Sequence, residues 1–307
     1  MDRVVIIGAG PAGYEAALVA AQLDADVTIV EPDGAGGGCV LADCVPSKTF
    51  IASSDVVTAY RDTEEFGVDA GGLDAVTVHP RAVHDRVRRL ALAQSTDIHA
   101  KLVKAGVSYV SGRARLGGAS TGHAHRVEIV PSDGGAPHEL DATAVLVATG
   151  ATPRLLPDAM PDGDRILTWR QIYDLPELPE HLIVIGSGVT GAEFASAYLA
   201  MGVPVTLVSS RDRVMPHEDA DAATAIERVF RTRGMNILNN ARAAAVRRSG
   251  GGVEVTLTDG RVVTGSHALM AVGSVPNTAG LGLGEYGVTV DPGGYVHVDR
   301  VSRTNVP

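Results

Sequence analysis

The chain of 307 residues is 45% apolar and 20% charged, a globular balance whose length implies two domains and a sizeable core. Its formal charge of −10 and scattered Lys and Arg speak against a nucleic-acid partner; the one small cluster, R86-V-R-R89, falls on a predicted solvated helix face. No apolar run reaches the ~18 residues of a membrane helix, and a strand beginning by residue 3 leaves no room for a signal peptide, so a cytoplasmic location is expected.

Residues 3–31, R-V-V-I-I-G-A-G-P-A-G-Y-E-A-A-L-V-A-A-Q-L-D-A-D-V-T-I-V-E, predict a buried strand, a G-x-G-x-x-G turn, an alanine-rich helix and a second strand. That order is the βαβ dinucleotide fingerprint. Gly8 allows the tight turn, Gly10 lets the backbone approach a pyrophosphate, and Gly13 lets helix and strand pack closely. The helix N-terminus then offers N–H groups and a positive dipole end to phosphate. Glu31 lies 18 residues beyond Gly13, at the strand tip, where an acid accepts hydrogen bonds from a ribose 2′-hydroxyl.

Next comes G36-G-G-C-V-L-A-D-C-V-P-S-K48, which holds the only two cysteines, Cys39 and Cys44. In an unbroken helix, residues five apart rise about 7.5 Å, too far for an unstrained disulfide. A bridge here implies a bent or unwound helix start, and the strain makes it easier to reduce. A helix N-terminus and Lys48 both favour thiolate. Two buried free thiols or a structural disulfide are the blander readings. No cysteine or histidine cluster completes a zinc site, so no metal is expected.

Periodicity predicts a helix over 79–104, ending at Gly106, with H79-P-R-A-V-H-D85 as an ordinary helix start. Short strands with turns follow from 107 to about 141, and A144-V-L-V-A-T-G150 reads as a buried strand. Pro153, Pro157 and Pro161 mark a boundary. Residues 181–209, H-L-I-V-I-G-S-G-V-T-G-A-E-F-A-S-A-Y-L-A-M-G-V-P-V-T-L-V-S, repeat the fingerprint through Gly186, Gly188 and Gly191. Here the strand tip is Ser209, followed by Ser210, Arg211 and Arg213. No acid stands at the strand-tip position to repel a 2′-phosphate, and hydroxyl and guanidinium groups suit one, so the second site admits NADPH. S266-H-A-L-M-A-V-G-S-V-P-N277 again reads as a buried strand followed by glycine and proline, echoing Ala144–Pro153.

The order G-x-G-x-x-G, acid-tipped strand, G-G-x-C-x₄-C-x-P-S-K, A-T-G, a second G-x-G-x-x-G with Glu, then G-x-x-P-N resembles the FAD-dependent pyridine-nucleotide disulfide oxidoreductases, along essentially the whole chain. The wording C-V-L-A-D-C-V-P-S-K-T-F-I-A-S and I-L-T-W-R-Q-I-Y-D-L is most similar to the actinobacterial NAD(P)H:quinone reductases of the dihydrolipoamide-dehydrogenase-like branch. The resemblance implies an α/β fold of two Rossmann-like domains of the FAD/NAD(P)-binding flavoprotein reductase type, the second inserted in the first. Residues 1–152 would be the FAD-binding domain, 153–273 the NAD(P)H-binding domain, and 274–307 a return segment.

It also implies roles. FAD would lie on Gly8, Gly10, Gly13, Glu31, Gly38, Gly112, Ala114, Thr149 and Gly150. NADPH or NADH would lie on Gly186, Gly188, Gly191, Glu193, the 209–213 stretch and Gly273. Cys44 would be the flavin-proximal thiol and Cys39 the interchange thiol. Lys48 would stand near the reactive end of the flavin, paired with Glu193 across the two domains. A small-molecule electron acceptor is the implied partner, with a homodimer expected for a full-length form.

Three departures bear on activity. Asp43 stands where the family carries glycine, and its charge disfavours a thiolate at Cys44. Val189 stands where many members carry a tyrosine over the nicotinamide pocket. The chain stops at Pro307, before the family's Gly-Asp flavin contact and before its dimerisation domain with a His-Glu pair. The expectation is a truncated chain with weakened FAD affinity and without the acid–base pair for disulfide exchange, typically worth roughly 10²–10⁴-fold. A quinone, taking electrons from reduced flavin directly, demands less. The expected activity is therefore NAD(P)H:quinone reduction. A disulfide reductase of the dihydrolipoyl dehydrogenase type is the alternative, and a non-catalytic nucleotide-binding remnant the third reading.

Overall fold

In the computed structural model, residues 2–69, 71, 76–118 and 124–307 are described. The chain forms two compact units: Met1–Cys44, Leu90–Thr152 and Ser274–Pro307 make the first, Val45–Arg89 and Pro153–Gly273 the second. Among the described residues no helix is long and apolar enough to cross a membrane.

The first unit is built on β1 (Arg3–Ile7), α1 (Pro11–Gln22) and β2 (Asp26–Glu31). The short helix α2 (Gly37–Leu41) follows, then α3 (Cys44–Arg61), which begins at the last residue of this segment and continues in the second unit's residues, and α4 (Pro80–Lys104), which begins in the second unit's residues and ends in the first's. Strands β3 (Ser108–Leu116), β4 (His125–Pro131), β5 (His138–Ala142) and β6 (Ala144–Val147) complete a sheet of order β5-β4-β3-β2-β1-β6. The central pairs are parallel and the β3-β4-β5 edge is antiparallel. Residues 119–123, inside the stretch expected to hold short strands, lie outside the described residues. Among the described residues strand β6 pairs only with β1, and it is half-buried, not the buried strand its apolar run implies. Val5, Ile7, Val127 and Ile129 form the core with Leu281, Leu283 and Tyr286 from the C-terminal segment. A ribbon pairs β7 (Ala151–Pro153) with β16 (Ser274–Pro276).

In the second unit, β8 (Ile166–Thr168), β9 (Leu182–Ile185), β10 (Val205–Val208), β11 (Asn236–Leu238) and β15 (His267–Met270) form a parallel sheet of order β11-β10-β9-β15-β8. Strands β9, β10 and β15 are buried throughout, which is why they read as unbroken apolar runs. Helix α5 (Val189–Ala200) follows β9, and α6 (Ala220–Thr232) follows β10, capped by the Asp219 carboxylate on the Asp221 and Ala222 N–H groups. Strands β12 (Ala243–Ser249), β13 (Gly252–Leu257) and β14 (Val262–Gly265) form a separate antiparallel sheet.

Residues 45–89 pack with this second unit although they precede its sequence by more than sixty positions. The reason is an aromatic cluster. Phe50 of α3 and His84 of α4 meet Tyr173, Phe194 and Tyr198, all at most 5% exposed, with ring centroids 5.0–6.3 Å apart. The arginines expected on a solvated face add to it: Arg86 donates to the Thr49 carbonyl at 3.1 Å and Arg88 to the Tyr173 carbonyl at 2.7 Å.

His84 donates through Nδ1 to the Leu175 carbonyl at 3.0 Å, and its buried Nε2 meets no hydrogen-bond partner among the described residues. Burial pushes its pKa down; Arg88 adds to this, while the Leu175 carbonyl, Asp174 and Asp85 oppose it. The folded imidazole therefore stays neutral where the unfolded chain takes up a proton. Its contribution to stability is full above about pH 6.5 and is lost as pH falls, by at most about 1.4 kcal/mol per pH unit. His84→Leu should flatten the fall in urea-measured stability between neutral and mildly acidic pH, without abolishing it, since His181 and His267 shift the same way. An unchanged slope would assign the effect to other groups.

Candidate functional site

Both glycine turns are built alike. Gly8 (φ +105°) and Gly186 (φ +110°) lie so close to the returning chain that a Cβ would stand 2.3 Å from the Ala148 carbonyl and 2.1 Å from that of Ala271. On Gly13 and Gly191 a Cβ would stand 1.9 and 1.8 Å from the carbonyls of Gly8 and Gly186. These four glycines serve the protein's own backbone. Gly10 and Gly188 differ: each is the N-cap of its helix, with no side-chain cap, and a Cβ on either would meet nothing within 4 Å. The middle glycine of each turn thus opens a cradle beside uncapped helix N–H groups. That is the arrangement a pyrophosphate requires, so the residues present fit a dinucleotide in both copies.

The strand tips differ. Glu31, 6% exposed, accepts the Ala9 N–H at 2.8 Å through Oε2 and the Asp33 N–H at 2.9 Å through Oε1. It places a carboxylate beside the first turn. Ser209 is fully buried; its hydroxyl lies 2.7 Å from that of Ser187 and accepts the Arg211 N–H at 3.1 Å. Expected among the residues that meet a 2′-phosphate, it faces inward and shapes the loop, while Ser210 and Arg211 are exposed and Arg213 is half-buried. Glu227 of α6, missed in the sequence, accepts the Val214 N–H at 3.0 Å. Burial pushes its carboxyl up, but Arg231, the Val214 N–H and Asn239 together hold it below the usual range. An acid 13 residues downstream of the loop carries no motif that would expose this contact.

The two cysteines flank a break. Cys39 lies in α2, which ends at Ala42 (φ −141°, ψ −14°), and α3 starts at Cys44. This is the interruption that a bridge between residues five apart requires. Cys39 is half-buried and Cys44 exposed. The preceding glycines bring the segment onto the first turn: the Gly36 N–H donates to the Ala9 carbonyl at 2.8 Å, and a Cβ on Gly37 would stand 3.0 Å from the Gly10 Cα. Gly38 is exposed on α2, and Asp43 immediately precedes Cys44.

One turn into α3, the Lys48 ammonium donates to both Glu193 oxygens, at 2.7 and 2.9 Å. The expected pair forms, but inside the second unit and not across two domains, because residues 45–89 pack with that unit. The Lys48 side chain is 60% exposed, and an exposed pair contributes about 0–1 kcal/mol. Phe50 and Phe194, each adjacent to or two residues from a partner of the pair and nearly fully buried, hold the helices together instead. Val189, first residue of α5, is 46% exposed.

Among the remaining residues, Gly112 and Ala114 lie in β3, where a Cβ on Gly112 would stand 2.6 Å from the Val130 carbonyl. Thr149 and Gly150 are bound by Asn277, whose Nδ2 donates to the Thr149 carbonyl and whose N–H donates to that of Gly150, both at 2.9 Å. The Gly273 carbonyl accepts the Arg154 N–H.

The family model for pyridine nucleotide-disulphide oxidoreductases matches residues 2–307. A Mycobacterium tuberculosis protein named NAD(P)H dehydrogenase (quinone) is 56% identical over 308 residues, covering 99% of this chain and 62% of the relative. A dihydrolipoyl dehydrogenase of Chlorobaculum tepidum is 35% identical, covering 99% and 64%. The crystal structure of LpdA from M. tuberculosis superposes with a TM-score of 0.93 at 54% identity, covering 99% of this chain and 66% of that one. The flavoprotein disulfide reductase RclA from Escherichia coli shares the fold, with a TM-score of 0.79 at 24% identity over 99% of this chain and 63% of that one. The chain thus spans 62–64% of the length of these two curated relatives.

The glycine geometry separates two kinds of substitution. Gly191→Ala should cost about 1–3 kcal/mol or more in denaturant-measured stability, because the Gly186 carbonyl must move. Gly188→Ala should leave stability within about 1 kcal/mol, since its Cβ enters open space. Equal losses at the two positions would contradict this division.

Proposed function

The chain belongs to the pyridine nucleotide-disulphide oxidoreductase family, and from that membership we propose that it carries electrons from NAD(P)H through FAD to a quinone. The observation that carries the reading is the pair of open glycine cradles on one chain, one beside an acid-tipped strand and one beside an arginine-bearing loop. The 56% identical relative, named as a quinone-reducing NAD(P)H dehydrogenase, supports the acceptor.

FAD would be held by the first unit at Gly10 and the α1 N-terminus, with Glu31 accepting from the adenosine ribose. When bound, it supplies acceptance of two electrons from a pyridine nucleotide and their onward transfer. NAD(P)H would be held by the second unit at Gly188 and the α5 N-terminus. Lys48, steadied by Glu193, keeps a cation and its donors one turn along α3 from Cys44 for the electron-rich ring. Exposed Val189 leaves the start of α5 without a bulky cover, as nicotinamide access needs. A second reading, reduction of a disulfide through Cys39 and Cys44, draws on the helix break between them and on the dihydrolipoyl dehydrogenase relatives.

The two readings part at Cys39. With FAD supplied, NADPH-driven reduction of a water-soluble benzoquinone should survive Cys39→Ser within about threefold, while any lipoamide reduction is abolished. Loss of both activities would make the thiols obligatory and favour the second reading. Gly188→Ala should weaken NADPH binding at least roughly tenfold by calorimetry, because its Cβ enters the cradle. Undiminished binding would remove the second cradle from the account.

A further inference from the structure

We infer that Glu227 is a positioning residue for nucleotide choice: from α6 it holds the loop that carries Arg211 and Arg213, and so sets discrimination between NADPH and NADH. This rests on the reading, proposed above, that NAD(P)H binds the second unit with its ribose at that loop.

The near end of the loop is tied locally by the Ser209 hydroxyl, to the Arg211 N–H and to the Arg211 and Arg213 carbonyls; its far end leans on other elements. Met215, at its far end, has φ +51°, a left-handed conformation unfavourable for a residue with a side chain. Ties from outside hold it. The Ser187 carbonyl accepts the Met215 N–H at 2.7 Å, and the Asn240 N–H donates to the Arg211 carbonyl at 2.8 Å. On the helix side the tie is Glu227, whose Oε2 accepts the Val214 N–H at 3.0 Å. Its Oε1 takes Arg231 Nη2 at 2.7 Å, Arg231 Nε at 3.1 Å and Asn239 Nδ2 at 2.8 Å. The Glu227 side chain is 14% exposed and surrounded by donors, unlike an incidental surface contact.

The first fingerprint shows what this replaces. There Glu31, on the strand tip, ties the Asp33 N–H itself and sets a negative charge at the ribose. In the second copy Ser209 ties the equivalent Arg211 N–H without charge. The acid that steadies the rest of the loop comes from α6 instead, paired with Arg231. The loop is held by a carboxylate, yet none stands at the strand tip to repel a 2′-phosphate.

The test is calorimetric binding of NADPH and of NADH to the whole chain, with thermal melting as the control for folding. In Glu227→Gln one of the two acceptor oxygens becomes a donor, so either the Val214 N–H or the Arg231 and Asn239 donors lose their acceptor and the anchor between loop and α6 is broken. NADPH affinity should fall roughly tenfold and NADH affinity by less than about threefold. Glu227→Met, of similar length and without a buried amide, must change the ratio in the same direction. Arg211→Ala with Arg213→Ala tests the underlying reading separately. If the arginine variant changes the ratio and neither Glu227 variant does, the positioning role is overturned and the loop reading stands. Equal losses for both nucleotides in the Glu227 variants also overturn it. If the arginine variant leaves the ratio unchanged, or the chain binds neither nucleotide, the underlying reading falls and this inference with it.

Discussion

The ion pair between Lys48 and Glu193 is placed by the aromatic side chains beneath it. Phe50 lies two residues beyond Lys48 on α3, and Phe194 is the residue after Glu193 on α5; both are buried, with ring centroids 6.2 Å apart. Truncating a buried phenylalanine typically costs about 3–5 kcal/mol, whereas an exposed ion pair is worth at most about 1 kcal/mol. The packing therefore determines the geometry and the ion pair inherits it. His84, Arg86 and Arg88 extend the same contact from α4 through hydrogen bonds to main-chain carbonyls. A segment that sequence order places with the first fingerprint is thereby fastened to the second unit, and Lys48 with it.

The duplicated βαβ motif is the other constraint. In each copy the outer glycines are required by carbonyls of the protein, and the middle one leaves space for something else. The two copies share the turn and differ at the strand tip and the loop after it. The first copy uses an acid that accepts two backbone N–H groups; the second uses a buried pair of hydroxyls and moves its acid to a helix. The charge beside the turn changes while the turn does not.

Much of this was legible in the sequence because it depends on local spacing. The two fingerprints, the strand-tip residues and the need for a break between Cys39 and Cys44 all follow from residues within thirty positions of each other. The partnership of Lys48 with Glu193 came from family resemblance, as the spacing of residues 145 apart carries no such signal. The aromatic seat was not legible: Phe50, His84 and Tyr173 lie on three separate elements, and apolar residues on helices read only as core. The position of Ser209 in the repeat matches Glu31 and suggests a ligand, but a hydroxyl is too short to leave the core, so it turns inward. The arginines at 86 and 88 looked solvated because periodicity cannot reveal carbonyl acceptors on a distant segment.

On the proposed function, the seated Lys48–Glu193 pair assists electron transfer from NAD(P)H and does more than join two helices. The most direct measurement is the anaerobic rate at which NADPH reduces FAD on the chain, followed by stopped-flow absorbance, for the wild type and for Lys48→Met. Because the exposed pair adds little stability, the variant should fold and bind both nucleotides as before, while the rate falls on the order of tenfold or more. An unchanged rate in a variant that still binds both would contradict the account and leave the pair a structural tie.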